Sequence, residues 1–498
     1  MHQKTYNFSF VRVLIITLFL VTIHKVSAQN CDCTIDQVIN NQVASCNITI
    51  GTTVVVTTVT EFRNAITQAN SNGGNMTILI ADGTYQVAST SWYPYITASD
   101  LVIRSQSGNR DAVILTGTGM QSVSPGTEIG LSVVGDRITI ADLTIRDVGN
   151  HGISTQGDHM YVHNVKIQNT FEQMIKGTSA GDGADSATVQ CCLLEYPAGV
   201  GPQFYIGGLD IHEGEAWLVR DNVFKNIASP SQSLAEHAVH FWSFSAHNIV
   251  ERNWIINCDR GIGFGLGSSP NEGGMIRNNM IYNDGSGQFH DVGIGLESSP
   301  NTQVYNNTIF IEYPNAIEYR FTNTTNTDIV NNLTNQNITS RNGGQANLNN
   351  NVTDALPSYF VDVLSGDLHL DSPVSGVADA GMNLSQDVID DFDQGLRDSS
   401  AFDIGAHEFA TFSSTQIITT PLDITIYPNP FTDVLHVDGN LSDYRIKIFD
   451  SIGQEVDDYT GVAGPLTIDL TSWGAGVFYI AVEHLTNNEL RVFTNVKF

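Results

Sequence analysis

A short motif of apolar residues around asparagine recurs through the middle of the chain. Its copies are Val162–Ile167, Val219–Phe224, Val250–Ile255, Ile276–Ile281, Val304–Ile309 and Ile329–Thr334. With Cys192 filling the coil between the first two, the register marks Asn164, Asn222, Asn253, Asn279, Asn307 and Asn332 are spaced at 25 to 31 residues. Uneven periods of this size are typical of stacked coils joined by variable loops.

The repeat predicts the fold, because a coil of this length buries its apolar face only by stacking on a neighbour. Asparagine suits the turns, since it tolerates left-handed backbone and its amide can bond the next coil. The Leu consensus of leucine-rich repeats is missing, and propeller blades would need longer, four-stranded units. We therefore predict an all-β protein whose body is a right-handed parallel β-helix.

The start of the repeat region has a helical pattern instead. Thr60–Ala69 carries apolar residues at helical spacing behind a Thr N-cap, and the strand Thr77–Ile80 follows, then Ala81–Tyr85. A short helix there would cap the open end of the solenoid. We expect Asp391–Arg397 and Asp403–Phe409 to close the other end.

Stacking also predicts columns of outward side chains, because equivalent positions of successive coils lie about 4.8 Å apart. The second strands of the coils align on their apolar residues, and alternation along each strand assigns the outward positions. One column reads Lys176, Asp210, His240, Gly263, Gly295 and Glu318. Its neighbour reads Thr178, His212, Trp242, Gly265, Glu297 and Arg320.

These two columns carry chemistry that an ordinary solvated face lacks. The catalytic candidates are Lys176, His240, His212, Asp210, Glu297, Glu318 and Arg320. Trp242, Gly263, Gly265 and Gly295 are candidates for substrate binding, because glycine in a strand often marks close approach by another molecule. The alternatives are a plain surface aromatic at Trp242, bonds between coils for the histidines and a weak surface ion pair for Glu318 and Arg320.

A row of acidic residues precedes the aligned strands by three positions, and its members are Glu236, Asp259 and Asp291. Their carboxylates could hold Ca²⁺ or cap turn amides, and capping is the preferred interpretation. His237 and Arg260 would then be structural partners of the row. No cofactor is certain from the sequence, and Ca²⁺ at this row is the candidate.

Residues 1–28 have the pattern of a signal peptide. A basic start is followed by the apolar run Val13–Ile23, which is too short to span a bilayer, and by the small-residue cleavage pattern Val26–Ala28. We therefore predict an exported chain with no membrane span in its mature part.

Export allows disulfides to form among the six cysteines. In the segment 29–51 we expect Cys46 to pair with Cys31 or with Cys33. Cys191, Cys192 and Cys258 lie in apolar repeat segments and are predicted to be core residues.

The charge balance excludes some partners. The chain has 22 Lys and Arg against 52 Asp and Glu, a net charge of −30, with no basic stripe. It is therefore not expected to bind nucleic acid or an anionic membrane surface. The same charge would repel a polyanionic substrate at long range, although salt screens this beyond about 8 Å. We expect a monomer.

The C-terminal segment 424–498, reached through a linker at 410–423, alternates apolar residues with turn residues, as a small β-sandwich does. Its opening Tyr427–Pro430, the strand that begins at Gly476 and the ending Lys497–Phe498 resemble the C-terminal sorting domain of the type IX secretion system of Bacteroidetes. That resemblance implies the type IX machinery as a partner and release or attachment outside the cell. A carbohydrate-binding module is the alternative.

The body over residues 52–409 also resembles a known group. Its helix followed by Ala81–Tyr85 and its ending Asp403–Glu408 are similar to pectate-lyase-like β-helix proteins, particularly lyases related to alginate lyase and chondroitinase B. Those enzymes use a Lys base with an Arg on the next coil, often with Ca²⁺. Lys176 matches the Lys, but the next coil offers Asp210 and His212 in place of the Arg.

The resulting hypothesis is a secreted enzyme that degrades a polysaccharide, with β-elimination of a uronic-acid-containing polymer ahead of hydrolysis. An elimination needs a base, an acid and a cation for the substrate carboxylate. Inverting hydrolysis, with a pair such as Glu297 and Glu318, is the first alternative. A non-catalytic β-helix adhesin is the second, and it predicts a uniformly polar exterior.

Overall fold

The computed structural model describes residues 31–498 except 90, 122–127, 179–182, 399, 410–423, 428–430, 440, 450–454, 475, 485–489 and 498. The predicted signal peptide and the predicted linker at 410–423 lie outside the described residues. The chain forms two compact units, which meet in sequence between Phe409 and Ala410.

The larger unit is a parallel β-solenoid built from three long sheets. The first sheet has the strands Thr52–Val56, Gly74–Ile80, Ser99–Ser105, Ile138–Ala141, Tyr161–His163, Thr188–Gln190, Leu218–Arg220, Ile249–Glu251, Met275–Arg277, Gln303–Tyr305, Thr327–Val330 and Ala346–Asn349. The second has Tyr95–Ile96, Leu131–Val133, Ile153–Thr155, Ile175–Gly177, Leu209–His212, Val239–Trp242, Ile262–Phe264, Ile294–Glu297, Asn315–Arg320 and Asn337–Arg341. The third has Gly83–Gln86, Val113–Thr116, Thr144–Val148, Lys166–Thr170, Leu193–Glu195, Val223–Lys225, Trp254–Ile256, Met280–Asn283, Thr308–Ile311 and Leu333–Thr334.

A buried ladder of asparagines runs through the turn between the first and third sheets. The Oδ1 of Asn279 accepts hydrogen bonds from the backbone N–H and the side-chain amide of Asn253, each at 3.0 Å. Asn222, Asn307 and Asn332 repeat this pattern along the solenoid. The predicted bonding of asparagine amides between coils is therefore present.

Two details of the predicted register are wrong. The left-handed backbone belongs to the residue before each ladder asparagine, such as Asp221 (φ 57°) and Asn278 (φ 54°). Asn164 is itself left-handed (φ 52°), and strand pairing makes it equivalent to Cys191 and Asp221. It is thus one position out of line with the ladder.

A helix caps the N-terminal end of the solenoid, as predicted. It spans Val59–Asn72, with Thr58 as N-cap in a capping box with Glu61 and Gly73 as a left-handed C-cap. Its buried face joins the solenoid core through Phe62, Ala65, Ile66 and Ala69. A second, short helix covers Ile35–Ile39.

The segment after the last coil lies along the side of the solenoid, so Asp391–Arg397 and Asp403–Phe409 do not close the open end as predicted. It contains the short helices Pro357–Tyr359 and Val363–Ser365 and the paired strands Phe360–Asp362 and Asp367–Leu370. Phe392, Ile404 and Ala406 pack on the outer side of the third sheet against residues such as Met280 and Tyr282. The segment follows the side of the solenoid because this face is apolar and needs cover.

The cysteines form two disulfides. Cys31 pairs with Cys46, one of the two expected pairings. Cys33 pairs with Cys191, which corrects the prediction that Cys191 is a core residue. The bond ties the N-terminal segment to a coil 158 residues away. Cys192 and Cys258 are free and buried, as predicted.

The C-terminal unit consists of two small antiparallel sheets around one apolar core. One sheet has the strands Thr425–Tyr427, Val434–Asp438 and Leu466–Asp469. The other has Tyr444–Phe449, Glu455–Thr460, Gly476–His484 and Leu490–Lys497. The remaining paired strands, Ser245–Ala246 and Asn271–Glu272, belong to a turn of the solenoid.

Candidate active site

The second sheet carries both predicted columns, and we call it the groove sheet. Parallel pairing runs from Lys176 through Asp210, His240, Gly263 and Gly295 to Glu318. The neighbouring column pairs His212 with Trp242 and Glu297 with Arg320. The strand alignment predicted from the sequence is therefore correct.

A buried ion pair lies in the N-terminal half of the groove sheet. Lys176 Nζ is 2.5 Å from Asp210 Oδ2, and these side chains are 7% and 2% exposed. Trp242 Nε1 donates to Asp210 Oδ1 at 2.7 Å. Burial raises the pKa of Asp210, but the Lys176 charge and the hydrogen bonds outweigh it and leave that pKa below its usual value. Both carboxylate oxygens are thus engaged.

His212 lies on the solvent side of this pair. Its Nε2 is 2.8 Å from Lys176 Nζ, and its ring meets Trp242 edge-on with centroids 4.3 Å apart. An ammonium group only donates, so Nε2 accepts and the proton of the neutral ring is on Nδ1. Burial and the Lys176 charge lower the pKa of His212, which is therefore neutral at pH 7. Its side chain is 26% exposed.

His240 is less accessible than the column pattern suggests. Its side chain is 1% exposed and stacks on Trp242 with centroids 5.6 Å apart. Its Nε2 donates to the Gly265 carbonyl at 3.1 Å. His240 therefore supports Trp242 from within the fold, and a polymer in the groove would meet His212 and Trp242 first.

The three glycines were predicted to bind substrate, but the protein itself fills the space in front of Gly263 and Gly265. A Cβ at Gly263 would lie 2.7 Å from the nearest ring atom of His237, and one at Gly295 would lie 3.7 Å from the same ring. Gly265 has a φ of +78°, and a Cβ there would lie 1.8 Å from the Glu297 carbonyl oxygen. Glycine is needed at Gly263 and Gly265 because His237 and the next coil approach the backbone closely, whereas the nearest atom to a Cβ at Gly295 would be Val292 Cγ1 at 3.3 Å.

The C-terminal half of the groove sheet is a network of ion pairs. Arg320 Nη1 is 2.5 Å from Glu297 Oε1, and Arg341 Nη1 is 2.8 Å from Glu318 Oε2. A cavity of about 150 Å³ adjoins these residues and extends to His237. Arg320 is five coils from Lys176, about 24 Å at the strand spacing, so the two halves do not act on one bond.

The acidic row does not converge on one point. Asp259 Oδ2 accepts from the backbone N–H groups of Ser229 and Ala235, at 2.9 and 2.8 Å, and thus caps a turn. Asp291 faces Arg260 at 3.7 Å. The potential ligands nearest Glu236 are the two histidines at 237 and 240, not the other carboxylates, so the row does not form the calcium site that was the alternative to turn capping.

Three residues outside the predicted columns lie near the Lys176–Asp210 pair. Burial and the Lys176 charge lower the pKa of His151 to about 4. Burial raises the pKa of Glu172, with Lys176 opposing it, and His151 Nε2 is 3.7 Å from Glu172 Oε2. Burial and the charges of Asp210 and Glu172 raise the pKa of Tyr205, which is 44% exposed. Each of the three precedes a groove-sheet strand by two to four residues, a corner position that the column pattern does not cover.

The comparison with protein families concerns the C-terminal unit. Residues 425–493 match the secretion system C-terminal sorting domain. The C-terminal unit is a type IX sorting domain. The chain is accordingly a secreted or cell-surface protein. Among the described residues, no helix has both the length and the apolar character to cross a membrane.

The solenoid is similar in fold to carbohydrate-active enzymes of known structure. Pectate lyase Pel9A is 15% identical over 67% of this chain and 88% of its own, with a TM-score of 0.48. The alginate lyase from Paenibacillus sp. str. FPU-7 is 13% identical over 59% of this chain and 99% of its own, with a TM-score of 0.37. The periplasmic alginate epimerase AlgG is 12% identical over 63% of this chain and 75% of its own, with a TM-score of 0.34. No curated protein matches the sequence.

Proposed function

We propose that this chain is a secreted enzyme that cleaves a uronic-acid-containing polysaccharide by β-elimination at the N-terminal half of the groove sheet. One observation carries the proposal: a neutral, partly exposed imidazole, His212, lies 2.8 Å from the ammonium group of Lys176. A base beside a fixed positive charge is what removal of the proton next to a carboxylate requires.

The two groups divide the work by charge. Lys176, held by Asp210, binds the substrate carboxylate and stabilises the charge that develops when the neighbouring C5 proton leaves. As the carboxylate takes over the Lys176 donor, the Nε2 lone pair of His212 becomes free to accept that proton. His212 is thus the base in this proposal, and Lys176 is the cation.

Tyr205 supplies the acid. A phenol is protonated at neutral pH, burial and the nearby carboxylates raise its pKa further, and the side chain is accessible beside the charged cluster. The phenol proton passes to the glycosidic oxygen as the bond from C4 to that oxygen breaks and the C4–C5 double bond forms. The resulting phenolate and the protonated His212 return to their starting states by proton exchange with water.

Hydrolysis is the second candidate, because Glu172 and Asp210 have pKa values moved in opposite directions, as in acid and base pairs of glycosidases. Asp210 is poorly suited to activate water, however, since Trp242 and Lys176 occupy its two oxygens and its side chain is almost fully buried. This favours elimination.

The test gives the full chain a panel of polyuronates and neutral polysaccharides and follows ultraviolet absorbance together with new reducing ends. We expect both signals to rise on a polyuronate. His212→Asn should reduce the rate at least about 100-fold, the range of general base catalysis, whereas the exposed His247→Asn should not. New reducing ends without the ultraviolet absorbance of an unsaturated uronate would contradict elimination and support hydrolysis. A lack of activity on every polymer would favour a non-catalytic adhesin.

A further inference from the structure

A cluster of three potential metal ligands lies beside the groove sheet, at Glu236, His237 and His240. One ligand atom from each side chain lies within 4.8 Å of the others. Glu236 Oε2 is 3.3 Å from His240 Nδ1 and 3.9 Å from His237 Nδ1. Both imidazoles are more than nine-tenths buried.

These three atoms have no hydrogen-bond partner among the described residues. A buried polar atom without a partner costs about 1–3 kcal/mol, so three of them at one point call for an explanation. Although Glu236 Oε2 and His240 Nδ1 are close, their angles are not those of a hydrogen bond.

The tautomer of His240 makes the arrangement specific. A backbone carbonyl only accepts, so the bond from His240 Nε2 to the Gly265 oxygen puts the proton on Nε2. The lone pair of a neutral His240 is then on Nδ1, which is 3.3 Å from a carboxylate oxygen but not aligned with it for a hydrogen bond. A cation that both electron-rich atoms can reach would satisfy them. Donation of the far nitrogen to a backbone carbonyl is also how metal-binding histidines are usually oriented.

The other acid and histidine cluster among the described residues lacks this feature. It comprises Asp391, Asp393 and His407. Asp391 Oδ1 accepts from the backbone N–H groups of Asp393 and Gly395, and His407 Nδ1 accepts from Leu370 N–H. Its polar atoms are engaged by hydrogen bonds, so it does not call for a metal ion.

We propose that Glu236, His237 and His240 bind a divalent transition metal ion of the zinc class. Two imidazole nitrogens with one carboxylate oxygen suit Zn²⁺, whereas Ca²⁺ takes six to eight oxygens. Bonds of about 2.0–2.2 Å in a tetrahedron separate neighbouring ligands by about 3.3–3.6 Å, close to the separations from Glu236. The positive charge nearest to the site, which would oppose a bound metal ion, is Arg260, 3.9 Å from Glu236. Asp291 lies 3.7 Å from Arg260 and offsets its charge.

The test measures binding and does not depend on the proposed activity. Full chain prepared without a histidine tag is stripped with a chelator and titrated calorimetrically with ZnCl₂ and, separately, with CaCl₂. We expect one Zn²⁺ per chain and no comparable calcium binding. Glu236→Gln and His240→Asn should each lower the affinity for zinc at least about 100-fold, since even residues that only orient metal ligands contribute about 10–100-fold to that affinity.

The matched control is Glu215→Gln/His247→Asn, an exposed Glu–His pair at 3.0 Å with no third ligand within the described part of the chain. This variant should bind zinc like the parent chain. If His240→Asn does not fold, as judged by circular dichroism, the partly exposed Glu236→Gln carries the test. A visible spectrum of tetrahedral Co²⁺ in the parent chain would support the site independently. Absence of zinc binding, calcium binding in its place, or zinc binding unchanged in the ligand variants would overturn it.

Discussion

Lys176→Met should destabilise the solenoid more than an ordinary surface substitution. It removes the cation that neutralises the buried Asp210 carboxylate and leaves that carboxylate only its hydrogen bond from Trp242. Removing one partner of a buried ion pair typically costs about 3–5 kcal/mol. The side chains are almost fully buried, so solvent screening reduces this little. At pH 7 we therefore expect a loss of about 3–5 kcal/mol in the free energy of unfolding.

The pH dependence has a definite sign. Lys176 holds the folded pKa of Asp210 down, so the pair stabilises the fold above the unfolded pKa of Asp, about 3.9, and this is lost as pH falls through the folded value. In Lys176→Met the buried Asp210 carboxyl takes up a proton at a higher pH than in the parent chain. The difference in unfolding free energy between the two chains should therefore become smaller at acidic pH.

Urea unfolding followed by far-ultraviolet circular dichroism measures both effects. Lys176→Met/Asp210→Asn is the informative companion, since a neutral amide can still accept the Trp242 N–H and should recover most of the lost stability. Lys225→Ala, an exposed lysine on the third sheet, is the control. A loss in unfolding free energy below about 1 kcal/mol for Lys176→Met, or no recovery in the double variant, would show that the pair does not behave as a buried ion pair.

Two further predictions concern the ladder and the base. Asn279→Ala removes a fully buried amide that bonds Asn253, Asn307 and two backbone carbonyls, so it should lower the free energy of unfolding in urea by about 2–5 kcal/mol. The exposed Asn347→Ala should lower it by less than about 1 kcal/mol, and equal losses in the two variants would contradict the role of the ladder. Because the base must be neutral and the pKa of His212 lies below 6.5, the acid limb of kcat/KM should fall below pH 6.5, and a limb at or above pH 7 would exclude His212 as the base.

Much of the fold follows from a pattern that repeats at every coil. The apolar residues around Asn253, Asn279 and Asn307 specify strands, a turn and a buried amide, and stacking then aligns the columns without knowledge of the loops. The register prediction fails at Asn164, because a left-handed asparagine and a ladder asparagine occupy adjacent positions and look alike in the sequence.

The site could be predicted only where it lies on the strands. Alternation along the strands predicts Lys176, Asp210, His212 and Trp242. Residues in the corners before the strands lie at variable distances from the strand start, so alternation does not predict them. Tyr205 was missed for this reason. The position of His237 over Gly263 depends on the path of a turn, which alternation does not describe.

The cysteines show a different limit. The pairing of Cys33 with Cys191 joins residues 158 apart, and it depends on how the N-terminal segment lies along the third sheet. A local pattern contains no information on such a contact. The same holds for the packing of Phe392 and Ile404 along the side of the solenoid.

Elimination at His212 is distinguished from hydrolysis when one polyuronate digestion by the full chain is followed by ultraviolet absorbance and by reducing ends together. We predict that the unsaturated product and the new ends appear in equal amounts, and that both disappear in His212→Asn while His247→Asn retains them. New ends without the unsaturated product, or full activity in His212→Asn, would contradict it.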